Sequence, residues 1–365
     1  MFIQEFKPAS SVINTPLVFF LAVCAFSVAN SAFYEQSFYN FLTKTLEWFI
    51  VYFLVIEAFY NKKQLYILLT IYIFTSLLTG IDSLVQFYLT NRDIFLGHVI
   101  EPGSRPTAGF KTSNGLGAYM ILVIPVMCSL LFLCGKKKKF FFLCSLILGL
   151  VVWSFVLTGS RGAWLGVFWG LLFGLVVYFF LEKKTRYVYL LSVLIGIIGL
   201  SALIVLTRVN HSSIEMLARH QTITWRLHIW KDSLEMIKDR PLFGHGINTF
   251  MMLFEKYRIG QGTSPTYAHN CYIQLAVETG ILGLGAFIWM VARFFTKMIK
   301  TVRQYFENDP DLAVVSIGLL SGILAFLVHC FFDTNFYTLQ LSVYLWFMIG
   351  MNVSFCAELS KSENA

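Results

Sequence analysis

Apolar residues run in long blocks along nearly the whole chain, and polar residues fall between the blocks rather than alternating with them. A helix needs about 20 mostly apolar residues to cross the hydrocarbon core of a bilayer, which is about 30 Å thick. Ten such blocks can be drawn, at 16–33, 38–60, 64–90, 115–134, 140–158, 163–181, 187–206, 270–291, 313–331 and 337–356. With a rise of about 1.5 Å per residue each can cross, the longest of them tilted. The pattern predicts an all-α fold, a polytopic transmembrane helix bundle. The first block follows one Lys and one Glu and precedes no small-residue cleavage pattern, so it reads as a retained span rather than a signal peptide.

One long polar interruption, 207–269, divides the chain. It separates an N-terminal bundle of about seven spans (1–206) from a C-terminal bundle of about three (270–365). Within it, Ile223, Leu227, Trp230, Leu234 and Ile237 recur at alternating intervals of four and three. That spacing predicts an amphipathic helix over 223–239, capped by Thr222 or Thr224 and followed by Pro241. Its apolar stripe would rest on the membrane surface or on the bundle, with Arg226 beside the stripe. The GHGIN stretch (244–248) predicts a tight turn, with Asn248 capping a further helix.

Composition sharpens the class. The chain is 57% hydrophobic and 13% charged, against about a quarter charged in soluble domains. The formal charge of +8 does not point to nucleic acid, because Lys and Arg gather in short connections between spans. With the N-terminus inside, the inward segments carry 15 Lys/Arg and the short outward loops carry 4. Both termini are then expected in the cytoplasm. The segments 91–114, 159–162 and 207–269 face outward together, so chemistry belongs on that face. The seven cysteines form no CxxC and lie almost all in apolar segments, where they read as small packing residues.

Few residues on the outward face carry candidate chemistry. Arg161 stands between Gly159 and Gly162 in a very short connection, and its guanidinium suits phosphate oxygens. The competing reading is an arginine reaching lipid headgroups. Arg226 is equally compatible with a solvated helix position. The Gly244 and Gly246 turn could offer backbone N–H groups to an anion, although most such turns are only turns. His269 and Asn270 open the eighth block; a neutral imidazole there is a candidate general base, against a polar residue that bonds the first turn. Glu47, Glu57, Asp82 and Glu278 lie within blocks, where each needs an interior partner, and a proton pathway in a transporter is the rival class. Asp333 lies at the outer end of the ninth block. The Asp309-Pro310-Asp311 run is explained as an N-cap and first turn, and KKKK (136–139) as a topology signal.

The chain resembles the O-antigen ligase and polymerase superfamily. The residues that carry the likeness are SRGAWLG (160–166), Arg226 to Trp230 as R-x-x-x-W, Pro241 to Gly246 as P-x-x-G-x-G, and HN-x-Y (269–272) followed by TGILGL (279–284). RPTAGFKTSNGLGAY (105–119) and FFDTNFY (331–337) also match in order, so the likeness covers about 105–350. It implies a GT-C-type, inverting, metal-independent glycosyltransferase of the bacterial inner membrane, with its site on the periplasmic side and no cofactor. The implied donor is a glycan on undecaprenyl pyrophosphate. The acceptor is lipid A–core for a ligase, or another lipid-linked glycan for an O-antigen or exopolysaccharide polymerase. By matching positions, Arg161 and Arg226 would bind the pyrophosphate and His269 would assist the acceptor hydroxyl. Arg105, Gly244, Gly246, Asn270 and Asp333 are further candidates.

Overall fold

The computed structural model describes residues 13–59, 61–134, 138–181, 213–258 and 265–361. Among these the chain is helical, and the one β-type pairing is an isolated bridge between Arg92 and Val99. In order the helices are α1 (Asn14–Ala29), α2 (Tyr34–Asn40), α3 (Leu46–Ala58), α4 (Lys62–Val85), α5 (Ser113–Cys134) and α6 (Lys138–Thr158). They continue as α7 (Arg161–Leu181), α8 (Ser213–Asp239), α9 (Phe250–Tyr257), α10 (Cys271–Tyr305), α11 (Pro310–His329) and α12 (Leu339–Lys361). Seven helices among the described residues are long and apolar enough to cross a membrane: α4 to α7 and α10 to α12. The protein is a multi-pass, all-α membrane bundle. The block expected at 187–206, and the start of the 207–269 interruption, lie outside the described residues.

Helix α11 is the axis of the bundle. In its apolar window 89% of residues are buried, against 22% for α6, so α11 is enclosed by protein while α6 lies at the periphery. Small residues permit that enclosure. A Cβ on Gly166 of α7 would fall 2.5 Å from the Ala325 carbonyl oxygen, and one on Gly322 of α11 would fall 2.6 Å from that of Leu122 on α5. Backbones can approach this closely only where side chains are absent, the usual device for packing helices in lipid. At the start of α11, Asp309 accepts the Leu312 N–H at 3.2 Å with Pro310 next to it, the cap expected from that motif.

Three elements depart from expectation. The block 38–60 is built from α2 and α3 joined by a π turn at Phe41–Thr45. The block expected to end at 291 instead continues as helix α10 to Tyr305, because Phe294, Met298 and Val302 keep returning to a buried face at four-residue intervals. The third departure is α8. It begins by Ser213, so Thr222 and Thr224 lie within it rather than at its start. Its buried positions are Ile229, Asp232, Ser233 and Met236, three of them in line with Arg226, whereas Ile223, Leu227 and Leu234 are exposed. The predicted stripe is therefore split: Trp230 and Ile237 pack against protein, and the other three do not. Burial follows the face that meets Phe250, Phe254, Ala268 and Val277, a small core of its own, rather than the most apolar face.

Candidate active site

The site is assembled at one end of the bundle, around the turn between α11 and α12. After His329 the backbone curls, with Phe332 N–H and Asp333 N–H both donating to the His329 carbonyl (2.8 and 3.2 Å). Asp333 emerges mostly buried. Its Oδ1 accepts the Thr334 N–H at 2.9 Å and faces His269 Nδ1 at 3.4 Å, while Oδ2 accepts from Asn114 Nδ2 at 3.0 Å. Burial opposes ionisation, but the His269 bond, the nearby imidazole of His329 and the Thr334 N–H outweigh it. The Asp333 carboxyl is held well below the usual carboxylate range.

His269 reaches this carboxylate from a short, constrained loop. Its φ is +51°, a left-handed conformation uncommon for a side-chain-bearing residue. The neighbours hold it there. Ala268 N–H donates to Gln274 Oε1 at 2.8 Å, and the Ala268 carbonyl accepts from Trp230 Nε1 at 2.9 Å. The Cys271 N–H donates to the Cys330 carbonyl at 2.8 Å, which ties the start of α10 to the end of α11. Trp225 lays its ring beside the imidazole, with centroids 5.3 Å apart. Asp333 engages Nδ1, and Nε2 is left without a protein partner among the described residues. An imidazole fixed by a carboxylate on one nitrogen and open on the other has the form of a general base.

Arg226 meets the same turn from α8. Its Nη1 donates to the Phe332 carbonyl at 2.8 Å, and its Nε is buried with no partner. A buried guanidinium nitrogen without an acceptor is costly in a protein, and an anion would satisfy it. Arg161 is the first residue of α7 and is exposed. The next residue, Gly162, packs so tightly that a Cβ would fall 2.7 Å from Phe332 Cβ and 2.8 Å from His329 Cδ2. That contact puts the start of α7 against the turn that Arg226 grips. Arg105 lies behind it, donating from Nη1 to the Thr158 carbonyl at 3.2 Å and lying against Gly159. Ser160 Oγ is 3.4 Å from His329 Nε2.

Other sequence candidates are occupied differently. The N–H groups of Gly244 and Gly246 donate to the carbonyls of Arg240 and Glu278 (3.1 and 2.9 Å), and that of His245 to Val277 at 3.0 Å. The glycine turn is thus spent on joining α8 to α10 and offers no N–H array to an anion. Gly244 is required sterically: a Cβ there would fall 2.5 Å from the Glu278 carbonyl carbon, at φ +68°. Asn248 does not cap α9; it is left-handed, and its N–H donates to Glu278 Oε2 at 2.8 Å. Asn270 caps α10, accepting from Tyr272 and Ile273 N–H at 2.9 and 3.0 Å, which is the bland alternative. Asp82 is committed locally, accepting the Ile94 N–H at 2.6 Å. Among the described residues no group of three or more His, Cys, Asp or Glu is placed to hold a metal ion.

His269, Arg226 and the start of α7 therefore converge on residues 329–333, which carry Asp333, so that four separate parts of the chain meet. Comparison with known proteins bears on this set. Residues 146–288 match the O-antigen ligase family. Over 207 residues the chain is 25% identical to an uncharacterized protein of Haemophilus influenzae, covering 51% of this chain and 49% of that relative. Over 116 residues it is 25% identical to the exopolysaccharide production protein ExoQ of Rhizobium meliloti, covering 30% and 26%. The aligned stretches thus span about half or less of these curated relatives. The resemblance to the O-antigen ligase and polymerase superfamily is shown for this segment. The O-antigen ligase match contains Arg161, Arg226 and His269 and stops short of Asp333, which only the fold brings to the histidine. Trp225, Gln274 and His329 carried no sequence signal for the site, whereas Asn114 lies in the matched 105–119 run. Trp230 did, as the end of the R-x-x-x-W run.

Proposed function

We propose that this protein is a glycosyltransferase that moves a glycan from undecaprenyl pyrophosphate to lipid A–core, at the periplasmic face of a bacterial inner membrane. The observation that carries the reading is the meeting of Arg226 and the His269–Asp333 pair on the adjacent residues Phe332 and Asp333. A cation and an oriented imidazole sit side by side at a membrane boundary. Transfer requires just these two services. His269 Nε2 takes the proton from the acceptor hydroxyl, and that oxygen forms the new bond to the anomeric carbon. The bond from that carbon to the pyrophosphate breaks on the opposite side, with inversion, and the leaving oxygen keeps the electron pair. Arg226 and Arg161 meet the charge that develops there, where a low dielectric strengthens fixed cations. Asp333 holds Nδ1 and stabilises the imidazolium formed.

A second reading shares every step but the acceptor. The likeness to a protein named for exopolysaccharide production favours a polymerase, in which the hydroxyl belongs to another lipid-linked repeat. Deletion in the native host separates the two: bare lipid A–core with polymer still on its carrier supports the ligase, and core bearing a single repeat supports the polymerase.

The catalytic reading is tested with the purified full chain in detergent and a synthetic polyprenyl-pyrophosphate oligosaccharide. His269→Ala should leave donor affinity nearly intact and lower turnover by about 10²–10⁴-fold, the usual worth of a general base. Arg226→Ala should weaken donor binding as well. EDTA should change neither rate. Equal loss of donor binding and transfer in His269→Ala would make His269 a binding residue. A strict need for sealed vesicles and a proton gradient would return the transporter reading.

A further inference from the structure

Glu278 is buried inside α10, one turn beyond Gln274, and the proposed transfer makes no use of it. Both of its oxygens are engaged. Oε2 accepts the Asn248 N–H at 2.8 Å and the Tyr337 hydroxyl at 2.9 Å, while Oε1 accepts from Gln274 Nε2 at 3.0 Å. Those donors come from the loop before α9, the turn before α12 and α10 itself. Tyr337 in turn faces Tyr267, with ring centroids 5.6 Å apart. One carboxylate thus ties together the segments that frame His269.

The decisive link runs through Gln274. A side-chain amide has one accepting end and one donating end. Glu278 Oε1 accepts from Gln274 Nε2 and so draws that end towards itself. Gln274 Oε1 must then face the other way, where it receives the Ala268 N–H at 2.8 Å. Ala268 precedes His269, whose left-handed φ of +51° persists only if its surroundings impose it. We infer that Glu278 is a positioning residue: by orienting the buried Gln274 amide, it holds the 268–269 loop in the conformation that presents His269 to Asp333. The inference rests on the reading of His269 as the base.

The hydrogen-bond directions supply a test that a merely space-filling role would not pass. In Glu278→Gln, the new amide must still accept from Asn248 and Tyr337, so its NH₂ end faces Gln274 Nε2. Either two donors then oppose each other, or Gln274 flips and opposes its NH₂ to the Ala268 N–H. In the exchanged double variant, Gln274→Glu with Glu278→Gln, every donor regains an acceptor. The amide at position 278 accepts from Asn248 and Tyr337 and donates to the carboxylate at position 274, which also accepts from Ala268.

The assay measures kcat and donor KM separately, with the synthetic polyprenyl-pyrophosphate oligosaccharide, alongside thermal unfolding of each full-length variant. Glu278→Gln should lower kcat by about 10- to 100-fold, the effect of one buried donor left unpaired. Donor KM should stay within about twofold. The double variant should recover most of the lost kcat. An unimpaired Glu278→Gln, or a folded double variant no better than the single one, would overturn the inference. His269→Ala, run in parallel, keeps the two readings apart. If it is fully active the base assignment fails, whereas if it is inactive while Glu278→Gln is unimpaired only the positioning role fails.

Discussion

Replacing Asp333 by Asn removes a charge while keeping a shape, and the structure allows its effect to be worked out. The amide oxygen of the substituted side chain can still receive the Thr334 N–H and face His269 Nδ1, as Oδ1 does now at 2.9 and 3.4 Å. Its NH₂ end would meet Asn114, whose own amide can turn to offer oxygen. Packing should survive, so the loss is electrostatic. The carboxylate and the imidazolium formed during transfer, 3.4 Å apart, would interact by about 5 kcal/mol at an effective dielectric of about 20, an upper bound for a pair that is partly open to solvent. The worth of a hydrogen bond to a charged group, about 1.5–3 kcal/mol, is the better guide at this separation. At about 1.4 kcal/mol per decade, Asp333→Asn should lower kcat by roughly one to two decades with little change in donor KM. The pH dependence has a definite sign. The folded carboxyl lies below its ordinary range, so its stabilisation is complete above about pH 4 and is lost as pH falls through the depressed folded value. Asp333→Asn should be less stable than the parent near neutrality, with the difference shrinking in strong acid. A folded Asp333→Asn with parental kcat would refute the pairing of Asp333 with His269.

Two further outcomes follow from the same geometry. Arg226→Lys keeps the charge but cannot hold the Phe332 carbonyl and an anion in one planar fork, so transfer should slow by roughly 10- to 100-fold; an unchanged rate would show that only charge matters there. Gly280→Ala places a Cβ against the Leu242 carbonyl at a φ of +68°, and should cost at least about 1–3 kcal/mol in a thermal or denaturant unfolding assay; parental stability would contradict the tight docking of the 242–246 loop on α10.

Much of the architecture was legible without coordinates, because a bilayer imposes a length and a composition on every span. Blocks such as 115–134, 140–158 and 163–181 match α5, α6 and α7 to within a few residues. Asp309 and Pro310 announced the start of α11 because a cap is a local hydrogen bond. Arg161 stood out in a short connection between apolar blocks, and Arg226 and His269 in the one long polar interruption. Elsewhere the local pattern misled. In α8 three of the five stripe residues, Ile223, Leu227 and Leu234, are exposed, and burial follows Ile229, Ser233 and Met236, since a helix beside a bilayer need not hide its apolar side from water. The Gly244–Gly246 turn had the look of an anion cradle, but the His245 and Gly246 N–H groups were already committed to the Val277 and Glu278 carbonyls of α10.

Sequence alone therefore determined the helical, membrane-spanning class, which depends on residue type and short-range spacing, and put forward the two arginines and the histidine as candidates, with their roles implied by the family resemblance. Tertiary structure decided their partners. Asp333 lies 64 residues from the histidine it faces, and the Phe332 carbonyl lies 106 residues from Arg226. Only the close packing of glycine-bearing helices around α11 brings those distant groups within hydrogen-bonding reach.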